Sequence, residues 1–287
     1  MKYFVLIAAM LLSTIGVKAQ SVGVRAGLNY SKFSGPLEVG ESYGFSNGFH
    51  FGVNYGYKFT NKFMLRFELL YSQTGSKTNF NGDSYYLIYL ADGRTVFERG
   101  QATIDLDVSN GNIGLPIVAA YQVHPKLEIF GGLAFNFLVN PIGRGTLRFE
   151  SDQNPNNITF RQSLDYRYYN DEPKSASQLS NLGSARPITI LVEGNRVGIP
   201  KYAGAYYQEL NKGDSKFSWF DITGTVGMNY FINRGFYIGG RFNYGFLDIT
   251  KTKADRSLIS LNEDNSYIRR EDKDVTTGIE VGIGFRF

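Results

Sequence analysis

The chain has 287 residues and no cysteine, which excludes disulfide bonds and thiol chemistry. Its 30 basic and 26 acidic residues give a net charge of +4, and the basic residues are not clustered, which argues against a nucleic-acid-binding surface. Glycine is abundant, with 33 residues, and 15% of the residues are aromatic. Many short strands, with small residues on one face and aromatic residues on the other, would produce this composition.

Residues 1–19 have the pattern of a secretory signal peptide. Lys2 precedes an apolar run, and Ala19 offers a small residue at the cleavage edge. The run is about fifteen residues long, shorter than the roughly 20 that a membrane-spanning helix needs, which disfavours a permanent anchor. Cleavage removes Lys2 and Lys18 and no acid, so the net charge falls from +4 to +2. We expect the mature domain to comprise residues 20–287.

Eight later segments alternate apolar side chains with polar or small ones at a period of two. Because successive side chains of a strand point to opposite faces, each segment has one apolar face and one face with glycine and charged residues. Each segment is about nine to thirteen residues long, and a tilted strand needs roughly 9–11 residues to cross a bilayer. The predicted strands are 22–30, 49–59, 63–71, 113–123, 127–137, 220–230, 236–246 and 275–287.

Pro116 is the one local conflict in this pattern. It falls on the inward face of the fourth predicted strand, where it removes a donor from the hydrogen-bond ladder. An edge or a bulge is expected at this position.

Short and long connections alternate strictly between the predicted strands. This asymmetry is typical of an outer-membrane barrel, which has short periplasmic turns and long extracellular loops. Both ends of the mature chain then lie in the periplasm. The short turns are 60–61, 124–126 and 233–235, and the long connections are about 33–47, 75–112, 138–218 and 248–274.

The connection 138–218 is too long to be structureless. It contains an extended piece at 187–193 and two groups of tyrosines. An extracellular hairpin that extends the membrane strands is compatible with this pattern. One interpretation is a solvated extracellular cap. Another is a binding surface for a protein partner, because exposed aromatic residues commonly anchor partners. The pieces 85–90 and 102–108 leave a ten-stranded alternative open, but we interpret them as extensions of an extracellular loop.

Aromatic residues cluster at the ends of the predicted strands, as expected for the two girdles of a membrane protein. The periplasmic girdle would contain Tyr57, Phe59, Tyr121, Tyr230, Phe236 and Phe287, and the outer girdle Tyr30, Tyr71, Phe137, Tyr244 and Phe246.

Three stretches resemble a known family. Ala19–Gln20, the opening strand 23–33 and the closing strand 282–287 resemble the PorT-like outer-membrane β-barrel proteins of Bacteroidetes-type bacteria. The resemblance covers the strands and not the connection 138–218. It implies an outer-membrane barrel, and one branch of the family is implicated in type IX protein secretion. No residue motif specific to that branch is present.

The end of the chain carries a second resemblance. Phe285 and Phe287 resemble the C-terminal signal that the barrel-assembly machinery reads. The resemblance implies that this machinery is a partner of the chain during insertion.

The inward faces of the predicted strands carry four basic and four acidic residues. Eight strands enclose an interior only wide enough for side chains to fill. Isolated buried charges are very costly, and pairing is the usual remedy. We therefore predict a charge-paired plug in the lumen, with a selective conduit or gate as the alternative. The predicted lumen network is Arg25, Arg66, Glu68, Glu128, Asp221, Arg241, Glu280 and Arg286.

Catalytic and metal-binding patterns are sparse. His124 lies in a short turn, and His50 faces inward near the extracellular end of the second strand, without a serine or aspartate at a recognisable nucleophile spacing. The carboxylates of 271–274 could touch a calcium ion. They lack the spacing of a defined metal loop and are interleaved with basic residues, so we interpret this segment as a solvated charged loop. No catalytic, cofactor or metal site is predicted.

The sequence thus predicts an all-β, antiparallel, eight-stranded transmembrane up-and-down β-barrel in outer-membrane lipid. We expect a non-enzymatic anchor or interaction protein with a plugged lumen, accessory to secretion or envelope assembly. Two alternatives stay open. One is a narrow gated channel or porin-like transporter, and the other is an envelope hydrolase that uses His50.

Overall fold

The computed structural model describes residues 20–90, 92–152, 158–173 and 187–287. The expected signal peptide, 1–19, lies outside the described residues. No helix in the described part of the chain is long and apolar enough to cross a membrane. The strands are β1 (Gln20–Ser34), β2 (Glu41–Lys58), β3 (Phe63–Tyr89), β4 (Thr95–His124), β5 (Leu127–Ser151), β6 (Thr159–Arg167), β7 (Ile188–Val192), β8 (Asn195–Ile199), β9 (Tyr202–Ala203), β10 (Phe220–Phe231), β11 (Phe236–Gly245), β12 (Arg256–Leu261), β13 (Tyr267–Arg269) and β14 (Val275–Arg286).

The antiparallel pairings of β1, β2, β3, β4, β5, β10, β11 and β14 close on themselves and form a ring. Strand β1 pairs with both β14 and β2, and β5 pairs with both β4 and β10. The β5–β10 pairing joins segments that are distant in sequence, from Leu127 opposite Tyr230 to Phe137 opposite Phe220. Each of the eight predicted segments falls within a different strand of this ring, to within one residue at its ends.

The ring has an apolar exterior and a charged interior. Val53, Leu69 and Val281 on the outer face are about half exposed, at 50, 50 and 49%. Arg66 and Glu68 on the inner face are 5 and 4% exposed. A water-soluble sheet buries its apolar face and exposes its charges, so this arrangement is inverted.

Side-chain acceptors shape the short turns at one end of the ring, which we call the turn end. Asn233 Oδ1 accepts hydrogen bonds from the backbone N–H groups of Gly235 (3.0 Å) and Phe236 (2.7 Å). Thr60 Oγ1 accepts one from the N–H of Phe63 (2.9 Å). Such local bonds are the reason that asparagine and threonine favour turns.

Three glycines lie side by side across β1, β14 and β11. Gly27 is opposite Gly282, which is opposite Gly239. A Cβ atom on Gly27 would lie 2.7 Å from the His50 ring, and one on Gly239 would lie 2.2 Å from Asn229 Oδ1. A Cβ atom on Gly27 or Gly282 would also meet the backbone of the paired strand, at 2.2 Å from Val281 O and 2.4 Å from Ala26 O. Close backbone approach therefore favours glycine at these two positions.

Pro116 lies on the inner face and is buried, opposite Ala134 of β5. The β3–β4 ladder stops at Phe67–Ile117 and resumes in the same register at Leu70–Gly114. The ladder is therefore interrupted beside the proline, which has no N–H to donate, without the expected bulge.

The long connections are more ordered than predicted. Strands β3 and β4 stay paired as far as Tyr89 opposite Thr95, so most of the predicted loop 75–112 is a continuous hairpin. The pieces 85–90 and 102–108 belong to this hairpin and not to an additional pair of ring strands. The predicted loop 33–47 shrinks to 35–40 because β1 and β2 are longer than the alternation indicated. We call the described parts of 75–112, 138–218 and 248–274 the cap.

Strand β5 also continues beyond the ring. Its inward-facing residues have even numbers in the ring and odd numbers in the cap. Asn112 pairs with Leu138 and Gly111 with Asn140, which leaves Val139 as an extra residue in β5. Such a bulge moves the following side chains to the opposite face. Phe149 is accordingly buried in the cap, although even-numbered residues of β5 face inward in the ring.

The cap has its own hydrophobic core. Phe80, Tyr86, Ile88, Phe149 and Phe160 are at most 4% exposed and belong to one cluster. The Tyr86 and Phe160 rings meet edge to face, with centroids 4.7 Å apart. The cap therefore folds like a water-soluble sheet, with its apolar residues inside.

Phe149→Ala should loosen the cap and leave the ring intact. Truncation of a fully buried phenylalanine costs about 3–5 kcal/mol because it leaves a cavity. In hydrogen–deuterium exchange, we expect faster exchange in β6 and the upper part of β3, with β14 unchanged. Leu191→Ala is the control, because Leu191 is 57% exposed. Equal acceleration in β14 would show that the cap and ring unfold as one unit.

Candidate functional site in the ring interior and the cap

Seven of the eight predicted inward charges form one connected ion-pair network. Arg286 Nη1 lies 2.8 Å from Glu128 Oε2, and Arg66 Nη1 lies 2.6 Å from Glu128 Oε1. Arg66 Nε in turn lies 2.9 Å from Glu68 Oε1. These contacts join β14, β5 and β3 across the turn-end half of the interior. We call the complete set the lumen network, and it comprises Arg25, Arg66, Glu68, Glu128, Arg241, Glu280 and Arg286.

Glu68 is the centre of the lumen network. Besides Arg66, it contacts Arg241 Nη2 at 2.9 Å and Arg25 Nη1 at 3.4 Å. Arg25 and Arg241 also contact Glu280 Oε2, at 3.0 and 3.5 Å. Two glutamates and two arginines therefore form a closed four-membered ring of charges. Shared contacts of this kind satisfy buried charges that isolated pairs would leave partly unpaired.

Neutral partners complete the lumen network. Asn229 Nδ2 donates to Glu128 Oε1 at 2.8 Å, and Asn243 Nδ2 donates to Glu280 Oε1 at 2.9 Å. The Arg66 and Arg241 guanidinium groups lie 4.7 and 5.1 Å from the centre of the Phe130 ring. The asparagines and the phenylalanine were not identified from the sequence. Their inward positions in the period-two pattern are the signal that could have revealed them.

His50 belongs to this interior and uses both ring nitrogens. Nε2 lies 2.9 Å from Arg25 Nη2, and Nδ1 lies 2.6 Å from Asn29 Oδ1. An arginine can only donate, so Nε2 accepts and Nδ1 carries the proton. The side chain is 1% exposed. It lies near the middle of β2 and not near the end of the strand, because β2 begins at Glu41.

Asp221 is placed apart from the lumen network. Its Oδ2 accepts a hydrogen bond from Thr223 Oγ1 at 3.1 Å, and its Oδ1 is buried without a hydrogen-bond partner among the residues that the structure describes. Across the described residues, it forms no ion pair. The reason is position along the strand, because Asp221 begins β10 at the cap end, whereas the seven paired charges lie deeper in the ring.

A small cavity with a mixed polar and apolar lining separates the lumen network from the cap. Its volume is about 70 Å³, and its lining includes Asn136, Asp221 and Arg241. Phe217 and Ile249 also line it and belong to a buried apolar cluster with Phe33, Val108 and Tyr168.

Three aspartates meet in the cap. One carboxylate oxygen from each of Asp255, Asp272 and Asp274 lies within 4.8 Å of the others. Burial, together with the neighbouring Asp272 and Asp255, raises the pKa of Asp274 to about 6. The interpretation of 271–274 as a solvated loop is therefore wrong for Asp274, which is 1% exposed. Asp255 is distant in sequence, and local spacing could not reveal the contact.

Exposed aromatic rings lie at both ends of the apolar outer face. Tyr57 and Phe59 are in contact at the turn end, with ring centroids 5.0 Å apart, and Phe51 and Tyr71 lie 5.5 Å apart toward the cap. Phe287 is 75% exposed, and its N–H donates to Val22 O at 2.8 Å. An apolar exterior with aromatic girdles and a charged interior is the arrangement of an outer-membrane β-barrel.

Comparison with known proteins agrees with this class. The sequence matches the outer membrane protein beta-barrel domain family over residues 18–251, and the chain belongs to that family. The protein is therefore an all-β protein of the outer membrane. No curated protein matches the sequence.

The chain also matches several solved structures of outer-membrane proteins. The attachment invasion locus protein Ail of Yersinia pestis shares 11% identity and a TM-score of 0.37, with 94% of this chain and 100% of that chain covered. OprG of Pseudomonas aeruginosa shares 12% identity and a TM-score of 0.38, with 95 and 98% covered. The outer membrane protease OmpT of Escherichia coli shares 8% identity and a TM-score of 0.29, with 96 and 99% covered.

Glu68→Gln should destabilise the ring strongly. The substitution preserves shape but removes the charge that three arginines share, and breaking a buried ion pair costs about 3–5 kcal/mol. The free energy of unfolding would be measured by urea titration in lipid vesicles. Glu150→Gln is the matched control because the Arg148–Glu150 pair is 65 and 56% exposed, and its loss should cost under about 0.5 kcal/mol. Similar values for the two variants would contradict a stabilising role for the lumen network.

Proposed function

We propose that the ring is an eight-stranded, up-and-down β-barrel that spans the outer membrane. The pairing of β5 with β10, which closes the ring, supports this architecture. The cap is then extracellular, and the turn end, with Gln20 and Phe287, is periplasmic. The short turns at one end and the long, folded connections at the other support this orientation.

We propose that the barrel lumen is plugged and passes no solute. The observation that carries this proposal is the lumen network, which links five strands through the interior with buried side chains. The apolar cluster of Phe33, Tyr168 and Phe217 supports a second closure on the cap side. The remaining cavity of about 70 Å³ is far below the size of a metabolite site, which is roughly 300–1,000 Å³.

The proposed role is that of a non-enzymatic membrane anchor whose cap contacts a protein partner, as an accessory to secretion or envelope assembly. A cap with its own hydrophobic core supports this role, because such a core holds surface residues in fixed positions. Leu191 and Leu210 are exposed apolar residues of the cap, at 57 and 68%. The envelope-hydrolase alternative would need an imidazole nitrogen directed at a nucleophile or a water, whereas the two nitrogens of His50 contact Arg25 and Asn29.

The proposals on subfamily, export and membrane insertion are supported by the sequence. The resemblance of 23–33 and 282–287 supports membership in the PorT-like group of Bacteroidetes-type bacteria. Residues 1–19 support export by a signal peptide, and the terminal Phe285 and Phe287 support recognition by the barrel-assembly machinery.

Bilayer recording tests the plugged lumen. The purified protein, inserted into a planar lipid bilayer, should give no stable current steps, because the lumen network leaves no continuous aqueous path. Insertion would be verified by co-flotation with vesicles of the same lipid, and a porin in the same membrane serves as the positive control. Large, stable ion currents from the wild-type protein would favour the channel alternative.

Single cysteines test the orientation, because the natural chain has none. Lys253→Cys lies on the exposed surface of the cap, and Asn61→Cys lies in an exposed turn at the opposite end. A membrane-impermeant maleimide should label the first variant in intact cells and the second only after the outer membrane is permeabilised. The reverse pattern would place the cap in the periplasm.

A further inference from the structure

We propose that Asp255, Asp272 and Asp274 form a binding site for a divalent cation of the calcium class. The three residues belong to the connection 248–274. Their spacing in the sequence does not match a defined metal-binding loop. Ca²⁺–oxygen bonds of about 2.3–2.6 Å allow two ligands of one ion to be up to about 5 Å apart. The oxygens of the cluster lie within 4.8 Å of one another, which is close to the spacing of three ligands around a single ion.

Unpartnered buried oxygens in the cluster are an independent indication of a ligand. The Asp255 side chain is 2% exposed, and its Oδ1 lies 3.0 Å from Lys216 Nζ, but among the described residues its Oδ2 has no hydrogen-bond partner. The Asp272 side chain is 8% exposed, and its Oδ1 also lacks a hydrogen-bond partner within the part of the chain that the structure describes, although Arg270 Nη2 lies 2.5 Å from Oδ2. A buried carboxylate oxygen without a partner is costly, and a bound cation removes that cost.

The charge balance around the cluster favours a cation. Besides the three aspartates, the contact network contains Asp248, whose Oδ1 accepts from the Asp274 N–H at 3.1 Å, and Glu41, which pairs with Arg270 at 3.0 Å. Lys216 and Arg270 are the basic partners in this network, so the carboxylates outnumber the basic groups by five to two. A divalent cation would offset most of the excess.

The surrounding hydroxyl groups suit an oxygen-loving ion. The Tyr43 hydroxyl lies 3.3 Å from both oxygens of Asp274, and Thr250 Oγ1 lies 3.5 Å from Oδ2. Ca²⁺ takes six to eight oxygen ligands and accepts irregular geometry, whereas Mg²⁺ demands a near-ideal octahedron. Because Lys216 and Arg270 already compete for the carboxylates, we expect an affinity in the range of extracellular calcium modules, with a Kd on the order of 10⁻⁴–10⁻³ M.

The site would fasten the cap to the ring. Asp274 immediately precedes β14, Tyr43 belongs to β2, and Arg270 Nη2 donates to Pro36 O at 2.8 Å. A cation at the cluster would therefore hold the 248–274 connection against the loop between β1 and β2.

Calcium titration of the full-length folded protein tests the proposal. The protein would be stripped with EDTA, dialysed and held in a zwitterionic detergent, so that anionic lipid contributes no binding. Isothermal titration with CaCl₂ should show one saturable site per chain, and MgCl₂ should bind at least tenfold more weakly. Terbium(III) provides a second probe, because Tyr43 beside the cluster should sensitise its emission and CaCl₂ should quench that emission by displacement.

Substitution assigns the binding to the cluster. Asp272→Asn should weaken calcium binding at least tenfold, whereas Glu263→Gln, an exposed acid of the same connection, should leave it unchanged. The wild-type titration does not depend on the folding of any variant, so absence of saturable binding up to 10-fold above the expected range of roughly 10⁻³ M overturns the proposal. Binding that survives Asp272→Asn also overturns it. Neither result bears on the plugged lumen, which bilayer recording tests separately.

Discussion

The pairing of buried charges inside the ring is the constraint on which the rest of the structure depends. Four arginines and three glutamates occupy the interior with side chains at most 18% exposed, and each charge there is tolerable only because an opposite charge contacts it. Glu68 can meet three arginines only if β1, β3 and β11 hold their present registers. In the glycine row, an added Cβ would first meet the backbone of the paired strand at Gly27 and Gly282, and the Asn229 amide at Gly239.

The ring and the cap have opposite distributions of apolar residues, and the change occurs along the inner face of the same strands. The inner face of β3 carries Arg66 and Glu68 in the ring and then Phe80, Tyr86 and Ile88 in the cap. Within the ring the apolar residues face outward, and within the cap they face inward. Strand β3 is continuous from the ring into the cap. The cap therefore extends the same sheet that forms the ring. In β5, even-numbered residues face inward in the ring and odd-numbered residues such as Phe149 face inward in the cap. The bulge at Val139 produces this switch.

The ring was predictable because its signal is local, and the cap was not because its contacts are distant. Strict alternation over about ten residues identifies a membrane-crossing strand without reference to its neighbours, and it also identified the seven paired charges. The side chains that support those charges, such as Asn229 and Phe130, have no such signature. The long β3–β4 hairpin was interpreted as a loop because polar residues interrupt its apolar pattern. Asp255 meets Asp274 only through the folding of the connection between them, which no spacing rule describes.

The position of the acidic cluster gives the two halves of the molecule a common joint. The lumen network stabilises the ring from within, and the apolar core stabilises the cap, but the two centres share no residues. Contacts between the cap and the rim of the ring therefore decide how rigidly the cap is presented. Asp274 stands at that rim, one residue before β14, and Tyr43 faces it from β2. Excess negative charge at such a joint repels the connection that carries it, and a bound divalent cation would turn this repulsion into attachment.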